Sequence, residues 1–244
     1  MQCSLCNQDK KLIKAHIIPR SFHKSLKQGD VQTPIIITSK PGEYPKQSQT
    51  GVYDKEIVCE DCEKIFSTWD DYGYEFLFQE LDEDRYIVSN NERIAYNFGP
   101  TNYENLKLFF LSVLWRASIS KQQLFNSVQL GPYEEKLKHH ILSKDPGSVE
   151  DFSVALSRFD APPNETGILN PDRAKYNGVN HYRLYLGGYM AIIKVSNQPL
   201  PKCFKGLYIA PEQDVFFIVR EFKESKEHAA MVYTARNARN AAKN

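Results

Sequence analysis

The chain of 244 residues lacks several features that would assign it to particular classes of protein. No apolar run approaches the roughly 18 residues that a membrane-spanning helix needs, and the mean hydropathy is −0.51. The N-terminus has no basic start followed by an apolar stretch, so we expect no signal peptide. We find no Walker loop, dinucleotide fingerprint, nucleophile elbow or internal repeat. Together these absences predict a cytoplasmic protein that does not associate with membranes.

The chain also lacks an excess of charge of either sign, since its formal net charge is +1. The charges are nevertheless unevenly distributed. Residues 1–50 hold eight Lys and Arg against three Asp and Glu, whereas residues 51–92 hold three against thirteen. The tail 231–244 carries three basic residues and no acid. This segregation leaves open a basic face for nucleic acid, although a solvated acidic helix within 51–92 explains the largest block more simply.

Cysteine is scarce, but its spacing is informative. Four of the five cysteines form two Cys-x-x-Cys pairs, namely Cys3 with Cys6 and Cys59 with Cys62. Two intervening residues allow both thiolates of a pair to bind one tetrahedral ion, and disulfides are disfavoured in a reducing compartment. We therefore predict a structural zinc site with four cysteine ligands. Cys203 stands alone and is interpreted as a small hydrophobic residue.

The segment between the two pairs contains the candidate functional residues. Residues 12–18 are short, apolar and followed by Pro19, which predicts a strand or extended turn. From Cys59 onward, aromatic and aliphatic residues recur at helical spacing and predict an amphipathic helix to about residue 81. A zinc ion would then fasten a strand that carries His16 to the start of a helix that carries Glu63.

These motifs resemble those of the HNH endonuclease superfamily, the ββα-metal fold, in its zinc-stabilised four-cysteine form. The family pattern places His-Ile-x-Pro after the first cysteine pair, Asn five residues before the second pair and His directly after it. In this chain the matching positions are His16-Ile17-Ile18-Pro19, Asp54 and Glu63. The resemblance covers roughly residues 1–70 and leaves the remainder of the chain unexplained.

The resemblance implies a role for each matched residue. His16 would be the general base that takes a proton from the water attacking phosphorus. Glu63 would bind a catalytic divalent ion, magnesium or manganese, because carboxylates suit hard cations. Asp54 would orient the loop of the base or supply a second carboxylate to the same ion. Independently of the resemblance, Arg20, Lys24 and Lys27 are placed to contact nucleic-acid phosphates if residues 19–27 form a helix after Pro19.

Each of these residues also has a plainer interpretation. Ala15 stands where the family often has another metal ligand, so the fold could be kept for binding alone. His16 could brace the zinc loop through backbone hydrogen bonds. Glu63 could be an ordinary acid at a helix N-terminus, favoured by the helix dipole. Arg20 and the lysines near it could form a solvated face.

The remainder of the chain predicts an α+β body. Asn90-Asn91 between two short apolar runs indicates a β-hairpin, and the apolar face that begins at Leu106 predicts a helix. Trp115 and Arg116 extend that face, where aromatic residues are usually core. We predict a zinc-bound HNH-like domain over residues 1–85, followed by an accessory domain over residues 86–244. Within the accessory domain we predict a helical segment over 102–145, an antiparallel sheet over 147–222 and a C-terminal helix over 223–244.

The expected function is a metal-dependent endonuclease that hydrolyses phosphodiester bonds, with DNA as partner in preference to RNA. By resemblance, such proteins are typically bacterial or phage-borne and act in restriction or defence. The alternative is a catalytically silent, zinc-stabilised module that binds nucleic acid or a protein partner. Ala15 favours the alternative, whereas His16, Asp54 and Glu63 in register favour the enzyme.

Overall fold

The computed structural model describes residues 1–26, 35–36, 46–47 and 51–241, and it shows a mixed α+β protein. The N-terminal part consists of very short elements followed by one long helix. In chain order these are β1 (Ala15–His16), α1 (Arg20–Ser25), β2 (Ile35–Ile36), β3 (Lys46–Gln47), β4 (Tyr53–Asp54) and α2 (Glu60–Phe78). Strands β1 and β4 pair antiparallel, as do β2 and β3. Lys27 lies outside the described residues.

Helix α2 forms where the sequence predicts it, because its apolar residues recur every three or four positions. Its buried side chains include Phe66, Trp69 and Phe76. At Gly73 a Cβ atom would lie 2.4 Å from the ring of Phe109, which belongs to the next long helix in the chain. Only glycine at this position lets that helix and α2 approach each other so closely. Glu60, Asp61 and Glu63 occupy its first turn, where the helix dipole favours negative charge.

The next helix, α3 (Tyr103–Ile119), packs on α2, and α4 (Tyr133–Ser143) in turn packs on α3. Helix α3 begins at Asn102, whose side chain accepts a hydrogen bond of 2.9 Å from the N–H of Asn105. Helix α3 is buried on almost every side, and its buried residues include Trp115 and Arg116. The predicted helical segment is therefore present.

The body of the protein is a seven-stranded sheet, and it differs from the predicted one. Its members are β5 (Tyr86–Ser89), β6 (Glu92–Pro100), β7 (Val154–Phe159), β8 (Asp172–Tyr176), β9 (Val179–Leu186), β10 (Tyr189–Lys194) and β11 (Asp214–Arg220), in the order β5-β6-β11-β7-β10-β9-β8. The sheet is mixed rather than antiparallel, because β11 runs parallel to β7. It also includes the hairpin of β5 and β6, which precedes the helical segment.

This difference has a topological cause. Strand β11 returns after a long connection to insert between β6 and β7, and such crossover connections allow parallel pairing. Alternation within each strand shows which face is buried but not which distant strand lies beside it. The short helix α5 (Pro163–Thr166) lies in the connection between β7 and β8, and the helix α6 (Lys226–Ala241) follows β11.

The apolar core joins these parts. One cluster of buried side chains includes Cys3, Phe66, Phe109 and Phe217, which belong to the N-terminal turn, α2, α3 and the sheet. The domain boundary at residue 85 stays a prediction. Within the described part of the chain, no helix combines the length and the apolar character needed to cross a membrane.

Candidate functional site

The four paired cysteines converge on one point. Their sulfur atoms all lie within 4.8 Å of one another, with 3.6 Å between Cys3 and Cys62 and 3.9 Å between Cys6 and Cys59. Disulfide sulfurs are about 2.05 Å apart, so these thiols are free. Four Zn–S bonds of about 2.3 Å in a tetrahedron place the sulfurs about 3.8 Å apart. The cluster is therefore compatible with a structural metal such as zinc, as the spacing predicts.

Local backbone geometry places the thiols. The first pair lies on a turn closed by hydrogen bonds of 2.9 Å from the N–H of Asn7 to the carbonyl of Cys3 and from the N–H of Cys3 to Gln8. Cys59 is the N-cap residue of α2 and donates its N–H to Cys3 Sγ at 3.4 Å.

These contacts affect the thiols differently. Burial raises the pKa of Cys3, but backbone hydrogen bonds, those of Cys6 and Cys59 foremost, outweigh it and lower the pKa to about 7. Burial and the neighbouring thiols raise the pKa of Cys62. A bound cation would remove this conflict by holding all four as thiolates.

His16 lies on β1. It is half-buried and faces Tyr53 on β4, with the two ring centroids 6.1 Å apart. The next residue, Ile17, donates its N–H to the carbonyl of Val52 at 3.2 Å. Because inward and outward backbone groups alternate along an antiparallel strand, the N–H and C=O of His16 point away from β4, towards the helices.

Glu63 meets His16 from the first turn of α2. Its carboxylate accepts a hydrogen bond from the backbone N–H of His16, and its Oε2 atom is buried with no hydrogen-bond partner. Burial raises the pKa of Glu63, against the lowering effects of the positive charge of Arg116 and of the His16 hydrogen bond. A buried carboxylate oxygen without a donor is costly, and a hard cation would satisfy it. The residue fits a metal ligand on this observation.

Asp54 is not brought together with His16 and Glu63. Asp54 pairs with Ala15, so the side chains of Asp54 and His16 project from opposite faces of the strand pair. It is buried, and its oxygens accept hydrogen bonds from the N–H groups of Glu56 at 3.0 Å and Lys121 at 2.9 Å. This placement suits the role of a residue that fixes the strand, the first of the two roles that the resemblance implies.

The sequence favours a core position for Arg116, and the structure places this residue in contact with the site. Arg116 of α3 is fully buried and donates to the carbonyl of His16 at 2.9 Å. Its guanidinium also forms a bidentate pair with Asp70 of α2, at 2.6 and 2.9 Å. The sequence signal for Arg116 is a charged residue within an otherwise apolar helix face. The aromatic residues around it favour the interpretation of that face as core.

A second histidine lies near the first. His23 of α1 is 1% exposed, and its Nε2 atom has no hydrogen-bond partner. Burial lowers its pKa to about 4, and the proximity of His16 acts in the same direction. Its ring occupies the space beside Gly51, where a Cβ atom would lie 2.1 Å from His23 Cδ2. His23 is thus a neutral core residue that packs behind the strand pair.

Exposed cations lie on the same part of the molecule. Arg20 and Lys24 are exposed on α1, while Lys27 is outside the described residues, and their contact with phosphates stays a prediction. Lys14 is also exposed, and its Nζ lies 3.6 Å from the ring centroid of Tyr53. Tyr53 is the residue of β4 that pairs with His16 of β1. Lys14 was not singled out from the sequence, because nothing in its spacing distinguishes it from the neighbouring lysines.

Over the described residues, the cysteines form the single group of three or more His, Cys, Asp or Glu side chains whose ligand atoms lie within 4.8 Å of one another. His16, Asp54 and Glu63 therefore do not form a preassembled cage for an ion. Comparison of the chain with family models, curated proteins and solved structures gives no match.

Proposed function

We propose that this protein is a metal-dependent endonuclease of the HNH type that hydrolyses phosphodiester bonds in nucleic acid, DNA in preference to RNA. One observation carries the proposal. The backbone N–H of His16, on a strand pair, donates to the carboxylate of Glu63 on the helix that follows, and the Oε2 atom of Glu63 is buried without a partner. The order of β1, β4 and α2, fastened by four cysteines, supports the same interpretation.

In this proposal His16 takes a proton on its imidazole from the attacking water. A neutral imidazole near pH 7 suits that task. Exposed Lys14, Arg20 and Lys24 hold the phosphates on either side of the scissile bond.

Glu63 is the protein ligand for a divalent ion, magnesium or manganese. Such an ion would polarise the scissile phosphate and stabilise the leaving 3′ oxygen. One carboxylate suffices for magnesium, which usually keeps several waters and binds substrate phosphate oxygens.

The test is a nuclease assay on zinc-loaded protein with supercoiled plasmid, single-stranded DNA and RNA. Magnesium or manganese is added, and His16→Ala and Glu63→Gln are assayed beside the wild type. We expect ion-dependent cleavage that is lost in both variants, while the control His139→Ala, which changes an exposed histidine on α4, cleaves normally. Cleavage that survives in His16→Ala would contradict the proposed role of His16.

A second candidate function has its own support. Ala15 provides no ligand, and the oxygens of Asp54 are occupied by hydrogen bonds from the protein. These features suit a catalytically silent module that binds nucleic acid or a protein partner. It predicts that the wild type retards nucleic acid in a gel without cleaving it, and that retardation falls when Arg20 and Lys24 are replaced by alanine.

A further inference from the structure

Arg116 is an unusual residue for its position. It lies on α3 among apolar side chains, with its side chain 0% exposed. A buried guanidinium is tolerated only when its charge and its N–H groups are satisfied. Asp70 supplies the charge, Ser112 accepts further hydrogen bonds and the ring of Phe66 lies 4.7 Å from its Cζ. Asp70 and Ser112 thus accept from four of the five guanidinium N–H groups, and the carbonyl of His16 accepts from the fifth.

The contact between Arg116 and His16 also completes the hydrogen bonding of the His16 backbone. The outward N–H of His16 is bonded to Glu63, and its outward C=O is bonded to Arg116 Nη1. Both groups lie on the side of the two-residue strand β1 that faces away from β4. We propose that Arg116, held by Asp70, is a positioning residue that fixes the backbone of His16 and thereby aims its imidazole.

The end of α3 holds the other strand as well. Just beyond its last residue, the backbone N–H of Lys121 and the hydroxyl of Ser120 donate to Asp54 on β4, at 2.9 and 3.3 Å. One helix, remote in sequence, therefore fixes both strands of the pair that carries His16. This deepens the proposed endonuclease and rests on it for the catalytic consequence, although the geometric part can be tested without catalysis.

The experiment uses the full chain with Arg116→Met and Asp70→Asn combined. Removing both charges avoids leaving one of them buried and unpaired, which would threaten the fold. The matched control combines Arg183→Met with Asp172→Asn, because that pair is also bidentate and buried at its arginine but lies on β8 and β9. Zinc content and thermal unfolding are measured for all proteins.

We expect kcat to fall by about 100-fold in the Arg116/Asp70 double variant with little change in KM, because a misaimed base affects only the reacting complex. The control pair should retain the wild-type kcat. Arg116→Lys, which keeps the charge but lacks the planar guanidinium fork, should restore part of the rate. Unchanged kcat in the double variant, or an equal loss in the control pair, would overturn the proposal.

A second readout separates this proposal from the proposed function. The ¹³C chemical shift of the His16 carbonyl and the imidazole shifts report the contact directly, whether or not the protein cleaves. We expect them to move in the double variant and to stay in the control pair. If the wild type does not cleave, the proposed function fails while these shifts still decide the positioning role. Unchanged shifts would overturn it.

Discussion

The N-terminal site and the seven-stranded sheet are held together by different interactions. In the sheet, long strands pair through continuous backbone ladders over a core that includes Phe217 and Tyr96. At the site, β1 and β4 have two residues each, too few to be stable as a strand pair. The side chains of Glu63, Asp54 and Arg116 hold them instead, and a metal ion bound by the four cysteines would add to this. We therefore expect loss of such a metal to loosen the site while the sheet stays folded.

The largest effect should come from the cysteine cluster. Structural zinc contributes about 10 kcal/mol or more to the folding of small zinc domains, so Cys62→Ser should abolish zinc binding and loosen the site. We expect hydrogen exchange of the backbone amides in residues 1–26 and 51–62 to accelerate by about 100-fold, whereas the amides of β6 and β11 stay protected.

Cys203→Ser provides the control for that change. Cys203 is an exposed free cysteine in the loop between β10 and β11, away from the other four. This variant should keep one zinc per chain and the wild-type exchange pattern, as measured by metal analysis and mass spectrometry. A Cys62→Ser protein that retains a full equivalent of zinc would contradict the four-cysteine ligand set.

A smaller effect should distinguish two glycines with similar backbones. Gly51 has φ +82° and Gly206 has φ +78°, so alanine costs about 1 kcal/mol at either position from backbone strain alone. At Gly51 the added Cβ would also lie 2.1 Å from the buried ring of His23, whereas nothing lies within 4 Å at Gly206. We expect Gly51→Ala to lose about 3 kcal/mol of unfolding free energy and Gly206→Ala about 1 kcal/mol. Equal losses in urea denaturation would show that His23 can move aside.

The smallest effect concerns a buried lysine of the body. Burial lowers the pKa of Lys107 on α3 to about 8. The unfolded chain, with its ordinary pKa of about 10.4, then binds more protons than the folded protein between pH 8 and 10.4, so stability rises with pH in that window. Relative to Lys107→Met, the wild type should gain about 2 kcal/mol from pH 7 to pH 10 in chemical denaturation. A pH-independent difference would mean that Lys107 titrates normally when folded.

Local signals in the sequence predicted the elements that local interactions determine. Asn90 and Asn91 adopt positive φ values of 51° and 63° between β5 and β6, which is the hairpin turn that asparagine favours. Helix α2 follows its apolar periodicity, and the two Cys-x-x-Cys pairs converge as their spacing predicts.

Pairing between distant segments was not predictable in the same way. The parallel neighbours β7 and β11 and the contact of Arg116 with His16 join residues far apart in the chain. Periodicity reports which face of an element is buried, but not what covers it. Arg116 has the same helical spacing as a core residue, and the identity of its acceptor depends on how α3 crosses the strand pair.

The reach of α3 back to the strand pair has a consequence for the order in which the nascent chain matures. The cysteine ligands are all synthesised by residue 62, so the metal cluster can assemble early during translation. Arg116 and Lys121, which fix His16 and Asp54, leave the ribosome later, by several seconds at about 5–20 residues per second. In the proposed endonuclease, a chain still in synthesis would bind zinc before its histidine is in place and would gain activity only once α3 has folded.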